Sequence, residues 1–205
     1  MKRYLILLLL CCLAISLSAT GSAEIHAKMQ GAYKSLSSFQ ANVSQTNYYP
    51  QLKRSIVYDG RIYFSPGRML MSFDKPHTQL LKIENSCVEL YDAQSNTLFK
   101  AQMLPQFGKM NPVEILQLYW TKSTVKIIRE SGDIVSVKLI PKDDPLIISL
   151  NASINKKSGL VQSLSYSDSS GNTVTYAFSG IKTNAAIPSG VWSFSYPKDA
   201  QIIEQ

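Results

Sequence analysis

The sequence predicts a mainly β protein with a few helices, its strands forming an antiparallel meander bent into a barrel or part of one. Three observations carry this. An apolar repeat of helical period occupies residues 25–36, the period then switches to two, and short candidate strands follow at spacings too tight for crossover helices.

The elements follow in order. Lys2 and Arg3 form a basic region, and the run from Tyr4 to Leu17 is apolar at the length of a signal-peptide core. It is too short for a stable transmembrane helix. Gly21 and Ala23 fit the −3 and −1 positions of a signal peptidase site, so residues 1–23 read as a signal peptide, with 24–205 as one mature domain. No small residue precedes Cys11 or Cys12, so neither is expected to be lipidated and a soluble exported protein is expected. Ile25, Met29, Ala32, Tyr33 and Leu36 then share one helical face, and Phe39, Ala41 and Val43 alternate with polar residues as a half-buried strand does. Further strands are expected near Val57, Ile62, Met71, Leu81, Leu90, Leu98, Lys126, Val137, Ile148, Leu164, Tyr176 and Phe194. Turn signals separate them at Asp59-Gly60, Pro66-Gly67, Asn155 to Gly159 and Ser170-Gly171-Asn172. One segment breaks the pattern: Asn111 as N-cap and Pro112 in the first turn open a short helix carrying Val113, Ile115, Leu116, Leu118 and Tyr119. It reads either as a core helix packed on the sheet or as a lid across a cavity.

Composition narrows the function. Of 21 basic residues, Lys2 and Arg3 leave with the signal peptide, so the mature chain carries 19 against 14 acidic, a charge of +5. That balance suits anionic lipid head groups or an acidic partner, and equally a surface kept basic for solubility. Nucleic acid is excluded as a partner, because the chain is exported and its basic residues are scattered. His26 and His77 are the only histidines, and no metal-ligand cluster, phosphate loop or nucleophile elbow is present. No enzyme activity, metal or cofactor is expected. Asp143-Asp144, ahead of Pro145, read as a turn cap, and Cys87 as a buried structural thiol. What stands out is soft apolar bulk: Met69, Met71 and Phe73 alternate along one strand face while Leu70 and Ser72 point the other way.

Several stretches together resemble the LolA family of periplasmic lipoprotein carriers. Leu36 to Gln45 is similar to the family's opening helix-to-strand passage, and Gly60 to Met69 to its glycine, aromatic strand and proline turn. Val88-Glu89-Leu90-Tyr91-Asp92 resembles the next strand, and Asn111 to Leu116 the helix that lids the cavity. The ending is the most specific part, with Asp168 to Asn172, Tyr176-Ala177-Phe178, Asn184, Ile187-Pro188 and Trp192 to Ala200. The resemblance implies an incomplete antiparallel β-barrel, a half-barrel, with a helical lid over an apolar cavity for acyl chains. It places Ile62, Phe64, Met69, Met71, Phe73, Leu81, Val88 and Leu90 on the cavity wall, with Val113 and Leu116 on the lid. Lipidated proteins are the implied cargo, an inner-membrane lipoprotein-releasing ABC transporter the donor, and an outer-membrane receptor or the membrane itself the acceptor, with the carrier a periplasmic monomer. The chain departs from the pattern where Ser65 replaces the family's arginine before the turn proline, an arginine tied to lid closure and cargo transfer; Arg68 is the candidate substitute. The family's common Asp-Gly hairpin reads Glu84-Asn85-Ser86, and its following tryptophan is Glu89. The alternative function is a periplasmic lipid- or lipoprotein-sensing regulatory domain on the same half-barrel.

Overall fold

The computed structural model describes residues 21–102 and 112–204, with the side chains of 112–115 outside that description. Cys11, Cys12, the Asn111 N-cap and the Val113 side chain therefore lie outside the described residues. Helix α1 (Ser22–Lys34) buries Ile25 and Met29, so the apolar repeat becomes its inner stripe, and the cleavage point expected after Ala23 falls in its first turn. The strands are β1 (Phe39–Tyr49), β2 (Arg54–Ser65), β3 (Arg68–Lys75), β4 (Gln79–Glu84), β5 (Cys87–Asp92) and β6 (Thr97–Gln102). Helix α2 (Pro112–Lys122) leads into β7 (Ser123–Ser131), β8 (Ile134–Pro141), β9 (Ile147–Asn155), β10 (Val161–Asp168), β11 (Thr173–Thr183) and β12 (Gln201–Glu204).

The twelve strands of the described residues form one sheet in the order β12-β6-β5-β4-β3-β2-β1-β11-β10-β9-β8-β7. The end strands β12 and β7 do not pair, so the sheet stays open as an incomplete barrel. Two meanders, β1 to β6 and β7 to β11, meet along the β1–β11 ladder, where Val43 pairs with Phe178. Turn chemistry fixes the hairpins. Pro66-Gly67 closes β2 onto β3 with Gly67 at φ 85°, and Asp168 Oδ1 accepts from the Ser170 and Asn172 N–H groups at 2.8 and 2.9 Å. Asn155 Oδ1 accepts from the Lys157 and Ser158 N–H groups, both at 3.0 Å, and Asp144 Oδ1 from Leu146 and Ile147, both at 2.8 Å.

The structure corrects four expectations. Asp59-Gly60 is not a turn: Val57 and Ile62 lie in one long strand, β2, with a bulge against β3 at that dipeptide. There the backbones approach so closely that a Cβ on residue 60 would sit 1.9 Å from the Ser72 carbonyl oxygen. Phe194 lies in an irregular segment, and the last strand is β12, several residues later. The sheet is not wholly antiparallel, because β12 runs parallel to β6. Cys87 is half-buried at the β4–β5 hairpin, because its pairing with Glu84 puts it on the convex face, away from the main core.

The curled sheet has two apolar layers. The main core fills the concave side, from Phe39, Ile62 and Met71 to Val137, Leu150 and Phe178, under Ile25, Met29, Leu116 and Trp120 of the helices. A smaller cluster on the convex side packs Leu70, Leu80, Tyr91 and Leu98 beneath Val191, Trp192 and Tyr196 of the segment after β11. That segment explains the outward apolar residues of β3 to β6, which alternation alone would assign to solvent.

Candidate functional site

Register builds the concave face of the first meander row by row. One row runs Ala41–Ile62–Met71–Leu81–Leu90–Phe99 across six strands, and the next runs Phe39–Phe64–Met69–Ile83–Val88–Ala101. Every side chain in both is apolar, because the period of two puts alternate residues on one face and the tight hairpins keep them aligned. A third row, Val43–Gly60–Phe73–Gln79–Asp92–Thr97, turns polar at its outer end.

Exposure across the concave side is graded. Ile62, Met69, Met71, Phe73 and Leu116 are at most 4% exposed, whereas Leu90 and Phe99 are 40% and 41% exposed. Phe64, Leu81 and Ile83 are partly buried against the same core, and Val88 is half-buried. The wall is thus closed under the helices and open toward β5 and β6. Val113 lies on α2 with its side chain outside the described residues. Arg68 stands apart from the rest: it shares the convex face with Leu70, where its guanidinium stacks 4.2 Å from the Trp192 ring centroid and its Nε donates to Ser65 Oγ at 3.1 Å. It therefore faces away from α2.

The two helices close the concave side against each other. His26 of α1 stacks on Trp120 of α2, ring centroids 5.0 Å apart and 5° from parallel, leaving His26 Nε2 buried with no hydrogen-bond partner among the described residues. Burial lowers the His26 pKa. Tyr119 donates its hydroxyl to Asp144 beside β9, which ties α2 to the β8–β9 loop, and burial followed by that carboxylate pushes Tyr119 up to about 12. Tyr33 accepts the Val161 N–H at 3.1 Å and is raised to about 12 by burial. At the polar rim, burial opposes the charge of Asp92, but hydrogen bonds from Gln79, Ser95 and His77 outweigh it and hold the carboxyl at about 2. His77 Nε2 sits 3.0 Å from that carboxylate and packs its ring edge-on to Tyr58. Among the described residues no group of three or more His, Cys, Asp or Glu is placed to hold a metal ion.

Sequence reasoning missed Phe99, Ile83, Trp120 and the pairing of Trp120 with His26. Phe99 and Ile83 continue rows already begun by named residues, so hairpin register was the signal that finds them. The helix stack had none, since it joins residues far apart in the chain.

An open sheet curled around an apolar wall, with two helices laid over part of it, defines the class of half-barrel proteins with a covered concave face. The chain belongs to the LolA family: the model described as "Outer membrane lipoprotein carrier protein LolA" matches residues 34–195. The outer-membrane lipoprotein carrier protein of Pseudomonas putida strain GB-1 is 28% identical over 146 residues, 68% of each chain. That of Cupriavidus pinatubonensis is 26% identical over 158 residues, 75% of this chain and 74% of the relative. Among solved structures, an uncharacterized conserved protein from Thermus thermophilus superposes with a TM-score of 0.57 at 14% identity, covering 91% of this chain and all of that one. MucB superposes with a TM-score of 0.54 at 13% identity, covering 84% of this chain and 62% of MucB. At these identities both likenesses bear on the fold alone. No helix among the described residues is long and apolar enough to cross a membrane.

Proposed function

We propose that this protein is a periplasmic carrier that takes up the acyl chains of lipoproteins released from the inner membrane and delivers them to the outer membrane. The observation that carries the reading is the six-strand apolar row that runs from buried Ile62 and Met71 to half-exposed Leu90 and Phe99. Acyl chains first meet the open end at β5 and β6, then extend along Leu81 and Met71 as α2 lifts. A chain of about 15 methylenes leaving water supplies on the order of 10 kcal/mol, enough to offset lost helix packing. Methionines suit a wall that must close on itself and also admit hydrocarbon. Residues 1–23 serve as the signal peptide and 24–205 as the carrier domain, working as a monomer between an inner-membrane releasing transporter and an outer-membrane receptor or the membrane. The other reading, a lipid-sensing regulatory domain, draws only a common fold from the likeness to MucB.

Spheroplasts incubated with the mature protein test the proposal, with captured lipoproteins identified by mass spectrometry. Wild type should retain lipidated proteins. Leu90→Asp and Phe99→Asp should melt as wild type does, because these sites keep a carboxylate hydrated, and should lose most of the captured cargo. Unchanged capture by both variants would remove the concave wall from the function. Capture without onward transfer to outer-membrane vesicles would favour the sensing domain.

A further inference from the structure

On the convex side a pocket of about 350 Å³ lies between the β2–β3 turn, the chain ahead of β1 and the segment that follows β11. Its donors and acceptors are out of balance. Asn184 Oδ1 already accepts from the Ser37 N–H at 2.8 Å and from Ser37 Oγ at 3.1 Å. The Ala185 carbonyl accepts from Ser38 Oγ at 2.6 Å, and the Ala186 carbonyl from Gln40 Nε2 at 3.3 Å. Donors are left over. Arg68 commits only its Nε, and among the described residues no carboxylate stands within ion-pair distance of it. Its cross-strand neighbour Glu84 is held by Lys82 Nζ at 3.0 Å. Ser65 accepts through Oγ and keeps its own proton. A backbone N–H can only donate, so Ser37 fixes the Asn184 amide with Oδ1 toward it and leaves Nδ2 uncommitted.

A fixed cation, spare donors from three residues and acceptors already taken are complementary to an oxyanion. We propose that this pocket binds the phosphate group of a phosphate ester. Tetrahedral oxygens can meet donors arriving from Arg68, Ser65 and Asn184, whereas a planar carboxylate is satisfied by the guanidinium fork alone. The indole of Trp192 holds the guanidinium flat and, with Ile187, gives an apolar wall for the organic part of the ester. Two sources share this chemistry, a soluble phosphate ester and a phospholipid head group.

Titration calorimetry on the purified protein separates them, using glycerol phosphate, short-chain phosphatidylglycerol below its micelle concentration, and acetate as the carboxylate control. Saturable binding with a Kd below roughly 1 mM is expected for at least one phosphate probe. Tighter glycerol phosphate binding assigns the soluble ester, and tighter phosphatidylglycerol binding the head group. Arg68→Gln should weaken that binding at least about tenfold and Ser65→Ala several-fold, with melting curves recorded for both. Should Arg68→Gln fail to fold, Ser65→Ala, which removes a single hydroxyl, reads the same site. Absence of binding by either phosphate probe, equal binding of acetate, or affinity indifferent to the substitutions would overturn the proposal.

Discussion

Ser86 shows how one residue can depart from what its backbone asks for. It follows Asn85 in a two-residue hairpin, and the pair sit at φ 53° and 64°, both left-handed. Such primed turns match the twist of the strands they join, and their second position favours glycine because an L side chain there is crowded. Ser86→Gly should therefore stabilise the protein by about 0.5–1 kcal/mol, the relief of strain being partly offset by glycine's extra freedom when unfolded. Thermal melts check it: a rise of about 2–4 °C per kcal/mol is expected at this chain length. The sequence showed the departure from Asp-Gly but not its cost, because φ is set by hairpin register, here the pairing of Glu84 with Cys87 across the turn.

At the scale of elements, the two helices depend on each other as much as on the sheet. Gly159, at φ 74°, lets the β9–β10 turn approach α1 so closely that a Cβ there would lie 2.5 Å from the Lys28 carbonyl oxygen. His26 then brings α1 against Trp120 of α2. Its folded pKa is lowered by burial, so the histidine is neutral in the fold at neutral pH and adds no pH dependence above its ordinary 6.5. As pH falls below 6.5 the unfolded chain takes up the proton more readily, and stability declines until the folded pKa is passed. Denaturant titrations between pH 7 and pH 5 should show this decline in wild type and a smaller one in His26→Phe, which keeps the stack without a titrating ring. Helix α1 was legible from its repeat, and α2 from Pro112 and its apolar run. β2 was split in two because Asp59-Gly60 has the composition of a turn while serving a bulge. The segment around Phe194 looked like a strand because its alternation of aromatics packs onto the convex cluster with no ladder.

For the whole molecule, the wall of the half-barrel and its core are the same surface. Met71 is 2% exposed, so Met71→Glu buries an unpaired charge and should cost about 3–5 kcal/mol, seen as a large drop in melting temperature. A small change in melting would show that the wall stands open to water much of the time. Alternation in β3 placed Met69, Met71 and Phe73 on one face from sequence alone. Their closure under α1 and α2 was not legible, because it depends on contacts between elements far apart in the chain. Arg68 was suggested for the lid by the resemblance, yet the same alternation puts it with Leu70 and Ser72 on the opposite face, where Trp192, more than a hundred residues later, stacks on it.

The seam between β1 and β11 has a consequence for biogenesis. Each meander can zip from local hairpins as the chain appears, but the Val43–Phe178 ladder must wait until β11, near the end of the chain, is available. Until then one side of β1 is an unpaired edge of eleven residues, able to template aggregation with other emerging chains. Folding speed is therefore governed by a single late encounter, and a chain cut short before Thr173 would leave that edge uncapped.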